Sequence, residues 1–146
     1  MIREVLFRGI TASGDMVYGS LITADDYCCI LEREEDVHPM DYPYLDGFIG
    51  TFDGKATPVK PETVSQWTGL VDKNGVKIFE GDVVKYEVLD CSVQWNTTYS
   101  SYILLHRDPA TGLAYFHLYE DEASCMEVIG NIWDNPELVS EQSEDA

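Results

Sequence analysis

The chain has 146 residues, with nine Lys and Arg against 27 Asp and Glu, a formal net charge of −18. That balance opposes phosphate backbones over the molecule as a whole, and so argues against nucleic-acid binding unless a fold gathers a local basic patch. A hydrophobic fraction of 45%, with three Trp, nine Tyr and five Phe, excludes a disordered chain and can fill a core without disulfide or metal staples.

No apolar run approaches the ~20 residues of a membrane helix, and no apolar leader segment follows the first residues. A cytoplasmic protein is expected, of one domain or two small lobes sharing a core. Residues 2–8 read as a first strand. Ala12-Ser13-Gly14-Asp15 reads as a turn, and residues 16–23 as a second strand, in which Gly19 marks a bulge or a close backbone approach. After a turn at residues 24–26, residues 27–32 make a third strand with Tyr27, Cys29 and Leu31 on one face. The spacing predicts a β-meander. Residues 32–59 break this rhythm with a cluster of acids, then scattered Pro, Gly and aromatics. They are read as a long ordered loop, or an irregular hairpin, packing its aromatics on the sheet, or alternatively as a partner-binding loop.

The next stretch, residues 60–88, is the most patterned: KPETVSQWTGLVDKNGVKIFEGDVVKYEV. Asn74-Gly75 between two apolar runs predicts a hairpin with a type I′ turn, which needs positive φ at both central residues. Glu80-Gly81-Asp82 turns the chain into residues 83–88, where Val84, Tyr86 and Val88 alternate with Lys85 and Glu87. Trp67 is read as a core anchor, and Asp72 and Asp82 as turn formers. Residues 89–98 continue as a strand. Residues 99–107 and 113–120 then read as a hairpin. One face is expected to hold Ile103 and Leu105 with Phe116 and Leu118. The other is expected to carry Tyr102, Leu104, His106, Tyr115, His117 and Tyr119. If that second face is open it forms an aromatic interaction surface, with Tyr102, His106, Tyr115, His117 and Tyr119 as its candidate residues. Residues 126–133 close the sheet, Asn135-Pro136 starts a short helical turn, and residues 140–146 read as a disordered acidic tail.

Segments of this chain resemble the YopX family of phage and prophage proteins. They are PETVSQWTGLVDKNGVKIFEGDVV in the middle, IREVLFRGI and MVYGSLI near the start, and EVIGNIWDNPELV near the end. The resemblance implies a mainly β fold of small antiparallel sheets with an SH3-like barrel and little helix, and a phage or prophage origin. It implies no enzymatic activity and no catalytic residue. On this reading residues 1–59 form an N-terminal meander with a long acidic loop, and residues 60–139 form the barrel core.

No chemistry-bearing constellation stands out. Cys28 and Cys29 are adjacent and point to opposite faces of a strand, and no pair among Cys28, Cys29, Cys91 and Cys125 has zinc-knuckle spacing. His38, His106 and His117 lie in no recognisable catalytic motif. No cofactor, metal or catalytic site is expected. The leading expectation is a non-enzymatic protein acting through a protein partner, from host or phage, or through self-association. A single-stranded nucleic-acid binder stacking bases on Trp95, Tyr115 and Tyr119 is the alternative; grouping of Arg3, Arg8, Lys73, Lys77 and Lys85 would favour it. A DNA-mimicking inhibitor is the second alternative.

Overall fold

The computed structural model describes residues 4–24, 27–32, 56–108 and 110–139. These fold as eleven antiparallel strands with one single-turn helix, in two compact units, Met1–Gln66 and Trp67–Ala146. The expected mainly β class is observed. The tail at 140–146 and residues 33–55 of the acidic stretch lie outside the described residues.

In the first unit, β1 (Phe7–Ile10), β2 (Met16–Ala24), β3 (Tyr27–Glu32) and β4 (Ala56–Pro58) pair in the order β4-β3-β2-β1. The three-residue β4 falls in the stretch read as a long loop or irregular hairpin, and it pairs antiparallel with β3. Thr11 closes the β1–β2 turn: its carbonyl accepts from Gly14 N–H, its hydroxyl accepts from Asp15 N–H, and Gly14 takes φ 97°. Gly19 is a close approach and not a bulge. It sits in unbroken register between Phe7 and Glu32, where a Cβ would collide with the carbonyl of Leu31. Cys29, Ile30 and Leu31 are all buried, so both faces of β3 are covered. A 3-10 turn, Pro61–Thr63, leads into β5 (Ser65–Val71), whose Ser65 and Gln66 pair with β1.

In the second unit, Trp67 and Val71 of β5 pair with β6 (Lys77–Phe79). A five-stranded sheet follows in the order β10-β9-β8-β7-β11. Its strands are β7 (Asp82–Tyr86), β8 (Leu89–Asn96), β9 (Ser101–Asp108), β10 (Gly112–His117) and β11 (Glu127–Asn131). β10 and β11 are the outer strands, so among the described residues the ladder does not close into a barrel. One face packs the core of Ile78, Val84, Cys91, Val93, Leu104, Ala123 and Met126, with Tyr86, Tyr102 and Phe116 against it.

Three local expectations are corrected here. Asn74-Gly75 does not form a type I′ turn, because only Gly75 has positive φ, at 81°. Gly75 N–H donates to Asp72 carbonyl and Asp72 N–H to Val76 carbonyl, the pattern of a type I turn closed by a glycine bulge. The Asp72 carboxylate selects it by accepting from the N–H groups inside the loop. Second, β7 ends at Tyr86. Glu87 turns the chain with φ 57°, and Val88 is 87% exposed instead of sharing the face of Val84. Third, the strand after Gly112 stops at His117, and helix α1 (Glu120–Ala123) follows, its three acids stabilised by the positive helix start.

Candidate interaction surface

The β9–β10 hairpin fixes where the candidate side chains go. Asp108 opposes Gly112, with three residues between them, and Gly112 takes φ 92°. The Asp108 carboxylate accepts from the N–H groups of Ala110 (2.6 Å) and Thr111 (3.2 Å), which hold its pKa below the ordinary carboxylate value. A loop with an odd number of residues sets odd-numbered positions opposite odd-numbered ones, and opposed residues share a face. Phe116 therefore lies opposite Leu104, Tyr115 opposite Leu105 and His117 opposite Ile103.

This splits the expected surface. Tyr102 and His106 lie on the core side with Leu104 and Phe116, whereas Tyr115 and His117 lie on the other side with Ile103 and Leu105. Tyr102 meets the ring of Trp95 edge-on at 5.1 Å, and Tyr86 meets Phe116 likewise at 5.6 Å. His106 Nδ1 donates to the carbonyl of Asp90 at 3.0 Å, which fixes its ring. These side chains serve the interior and its rim.

The outward group is a different set: Tyr99, Leu113, Tyr115, His117 and Tyr119. His117 stands between two rings, edge-on to Tyr99 at 5.0 Å and tilted against Tyr119 at 5.9 Å. Tyr99, Leu113, Tyr115 and Tyr119 are each about half exposed or more. Tyr99 was not singled out from the sequence, because residues 99–107 read as one continuous strand. It belongs to the preceding turn, where Asn96 Oδ1 accepts its N–H at 3.0 Å. An Asn opening a polar run is the signal for such a turn.

The most patterned stretch holds structure. Buried Asp72 accepts Asn74 N–H and Val76 N–H on one oxygen, at 2.8 and 2.9 Å, and Val128 N–H on the other at 2.9 Å. Burial pushes its pKa up, but the three N–H donors and nearby Lys73 outweigh that and hold it below the ordinary value. Asp82 Oδ2 accepts Phe79 N–H at 2.7 Å across the Glu80-Gly81 turn. Gly81 lies under the Trp133 ring, donates to Val93 carbonyl and accepts from Ile132 N–H. Asp72 and Asp82 are thus turn formers, as expected. Trp67 is not a fully buried anchor: it is half-buried, donates Nε1–H to Leu70 carbonyl and lies 5.1 Å from the Lys77 ammonium. Asn135, the residue before the 3-10 turn Pro136–Leu138, places its side-chain oxygen on Asn131 N–H instead of capping that turn.

Among the described residues no group of three or more His, Cys, Asp and Glu is placed to hold a metal. The four cysteines are free thiols, and burial, reinforced by Asp90, raises that of Cys91 to about 11. No helix among the described residues is long and apolar enough to cross a membrane.

Fold and site together define an antiparallel β protein whose motif carboxylates hold turns and whose outward feature is an aromatic strip on one hairpin. The profile of the family described as YopX protein matches residues 14–140. The chain belongs to the YopX family. No curated protein matches it in sequence. Among solved structures it is similar to protein EF1440 from Enterococcus faecalis, at 23% identity and a TM-score of 0.48, covering 94% of this chain and 99% of that one.

Proposed function

We propose that this protein is a phage- or prophage-encoded, non-enzymatic interaction protein of the bacterial cytoplasm. It acts through protein contact at the outward face of the β9–β10 hairpin. The observation that carries this is the strip of Tyr99, Leu113, Tyr115 and Tyr119, each about half exposed or more. Aromatic residues without charges at the centre are what protein interfaces concentrate. The strip lies on residues 99–119, where Asp108 is the only one of the chain's 27 acids.

Stacking of single-stranded nucleic acid has weaker support. Trp95 lies opposite Tyr102, on the other side of the sheet from Tyr115, so the three rings form no single platform. Arg3 lies outside the described residues, and the other four basic residues of the expected cluster are engaged separately. Arg8 is buried and donates to Ser65 Oγ, Lys73 pairs with Glu127, Lys85 pairs with Asp90, and Lys77 lies over Trp67.

The test is light scattering of the purified chain with and without a short single-stranded DNA at low salt. The expected result is a particle mass that ignores DNA. A monomer that gains mass with DNA, and loses it again as salt rises, overturns the reading.

A further inference from the structure

A sheet edge presents a row of unpaired backbone groups, and proteins protect such edges with short strands, prolines, charges or bulges. Four strands pair on one side only among the described residues. β4 is three residues long and ends on Pro58. β6 is three residues long, begins on Lys77 and pairs irregularly with β5. β11 begins on Glu127 and carries a bulge between Val128 and Gly130. β10 has none of these devices. It is Gly-Leu-Ala-Tyr-Phe-His, six residues in unbroken register with β9, without charge or proline.

The backbone polarity of β10 follows from one hydrogen bond. Leu118 N–H donates to Tyr102 carbonyl at 3.2 Å, so the even-numbered residues 112, 114, 116 and 118 aim their N–H and C=O at β9. The odd-numbered Leu113, Tyr115 and His117 then aim theirs outward, away from the sheet. Three donors and three acceptors line this edge, centred on Tyr115. A second copy related by a two-fold axis normal to the sheet keeps corresponding faces together. Opposed residues must share a face, so the axis passes through a residue and not between two. Centring it on Tyr115 opposes Tyr115 to its own counterpart and Leu113 to His117. All six outward groups of each strand are then paired, whereas centring on Ala114 leaves His117 unpaired.

We infer that β10 is a self-association edge, at which two copies join antiparallel through Tyr115 to form one continuous ten-stranded sheet from two five-stranded ones. This deepens the interaction reading above and rests on it, taking a second copy of the chain as the partner. The sequence charge is compatible with it: the edge strand is uncharged, and Asp108, the one carboxylate of the hairpin, is held by its own turn. Two copies of net charge −18 still repel at a distance, so association tightens as salt screens them.

The test is sedimentation of the full chain over a concentration series at low and high NaCl. The wild type is expected to form a dimer that strengthens with salt. Tyr115→Lys opposes two cations at the axis. Tyr115→Pro removes an outward N–H while leaving every donor to β9 in place. Both are expected to lose the dimer and to keep the wild-type circular dichroism, with a Tm that no longer rises with protein concentration. Tyr115→Cys is expected to oxidise to a dimer linked between equivalent positions, because an opposed pair lies within disulfide reach; Leu113→Cys is not. A wild-type monomer under all conditions overturns the inference, as do folded Tyr115 variants that keep the dimer. In the second case the protein-interaction reading stands and only the edge is wrong. Mass gained on single-stranded DNA defeats that reading itself.

Discussion

The carboxylate of Asp72 ties the β5–β6 turn to β11, and replacing it tests whether the family-like stretch is structural. Asp72→Asn keeps the volume but turns one acceptor oxygen into a donor that faces backbone N–H groups. Asp72→Ala removes all three hydrogen bonds. Asn74 and Val76 are exposed, so water can satisfy their N–H groups, whereas half-buried Val128 is less accessible. With a bond to an ionised acceptor worth ~1.5–3 kcal/mol and a resolvated one nearer ~1, Asp72→Ala costs about 3.5–5 kcal/mol and Asp72→Asn about 2. The nearby Lys73–Glu127 pair at 3.8 Å is half exposed on both sides and contributes under about 1 kcal/mol, too little to rescue either variant. Urea unfolding at neutral pH reads the difference directly. The folded pKa is depressed, so this stabilisation is present above the unfolded value near ~3.9 and is lost as pH falls from there through the folded value. The gap between wild type and Asp72→Asn is therefore expected to narrow below about pH 4. An Asn variant as stable as wild type at pH 7, or a gap that stays constant into acid, refutes the assignment.

Gly19→Ala places a Cβ against the carbonyl of Leu31 within a continuous ladder, and is expected to destabilise by about 3 kcal/mol or more, read by thermal melting. Glu87 holds φ 57° at the first position of the β7–β8 turn, which glycine adopts without strain. Glu87→Gly is expected to raise stability by about 0.5–1 kcal/mol, and a loss would show that the side chain's contacts outweigh its backbone strain. Cys91 is fully buried with a thiol pKa near 11, whereas Cys125 is exposed, so iodoacetamide at mildly basic pH should label Cys125 and spare Cys91 in the native protein. Labelling of Cys91 at a comparable rate, located by mass spectrometry, would count against the packing of this core.

Strand existence was legible because period-two runs are bounded by strong turn residues, as at residues 12–15 and 80–82. Face assignment in the β9–β10 hairpin was not. Ile103 and Leu104 are both buried, at 5% and 0% exposure, so β9 has no polar face to set the alternation. Apolarity then sorts Phe116 with Ile103, while the odd loop length sorts it with Leu104. The loop decides, since chain closure fixes register and hydrophobicity on two covered faces does not. Helix α1 escaped for a different reason: four residues are too few to display a 3.6-residue period. The turn at Glu87 carried no signal at all, since a non-glycine residue there conceals its positive φ.

The same reasoning separates recognisable sequence from working surface. Lys73-Asn74-Gly75, Phe79-Glu80-Gly81-Asp82 and Gly130 to Asn135 hold the most distinctive side chains of the second unit. The carboxylate oxygens of Asp72 and the side-chain oxygens of Asn131 and Asn135 accept from backbone N–H groups. Two of the glycines are fixed by contact, since a Cβ on Gly81 would strike Trp133 and one on Gly130 would strike Asn135, whereas Gly75 is fixed by its φ of 81° alone. Acceptors already committed to backbone N–H groups are poorly disposed to take a ligand without opening the fold. The hairpin strip has the opposite character. Tyr99, Tyr115 and Tyr119 remain half exposed or more on a turn, an outer strand and its extension, and substitutions there change what the protein touches before they change how it folds. Variation in binding should therefore follow the β9–β10 hairpin, and variation in stability should follow the glycine and carboxylate turns.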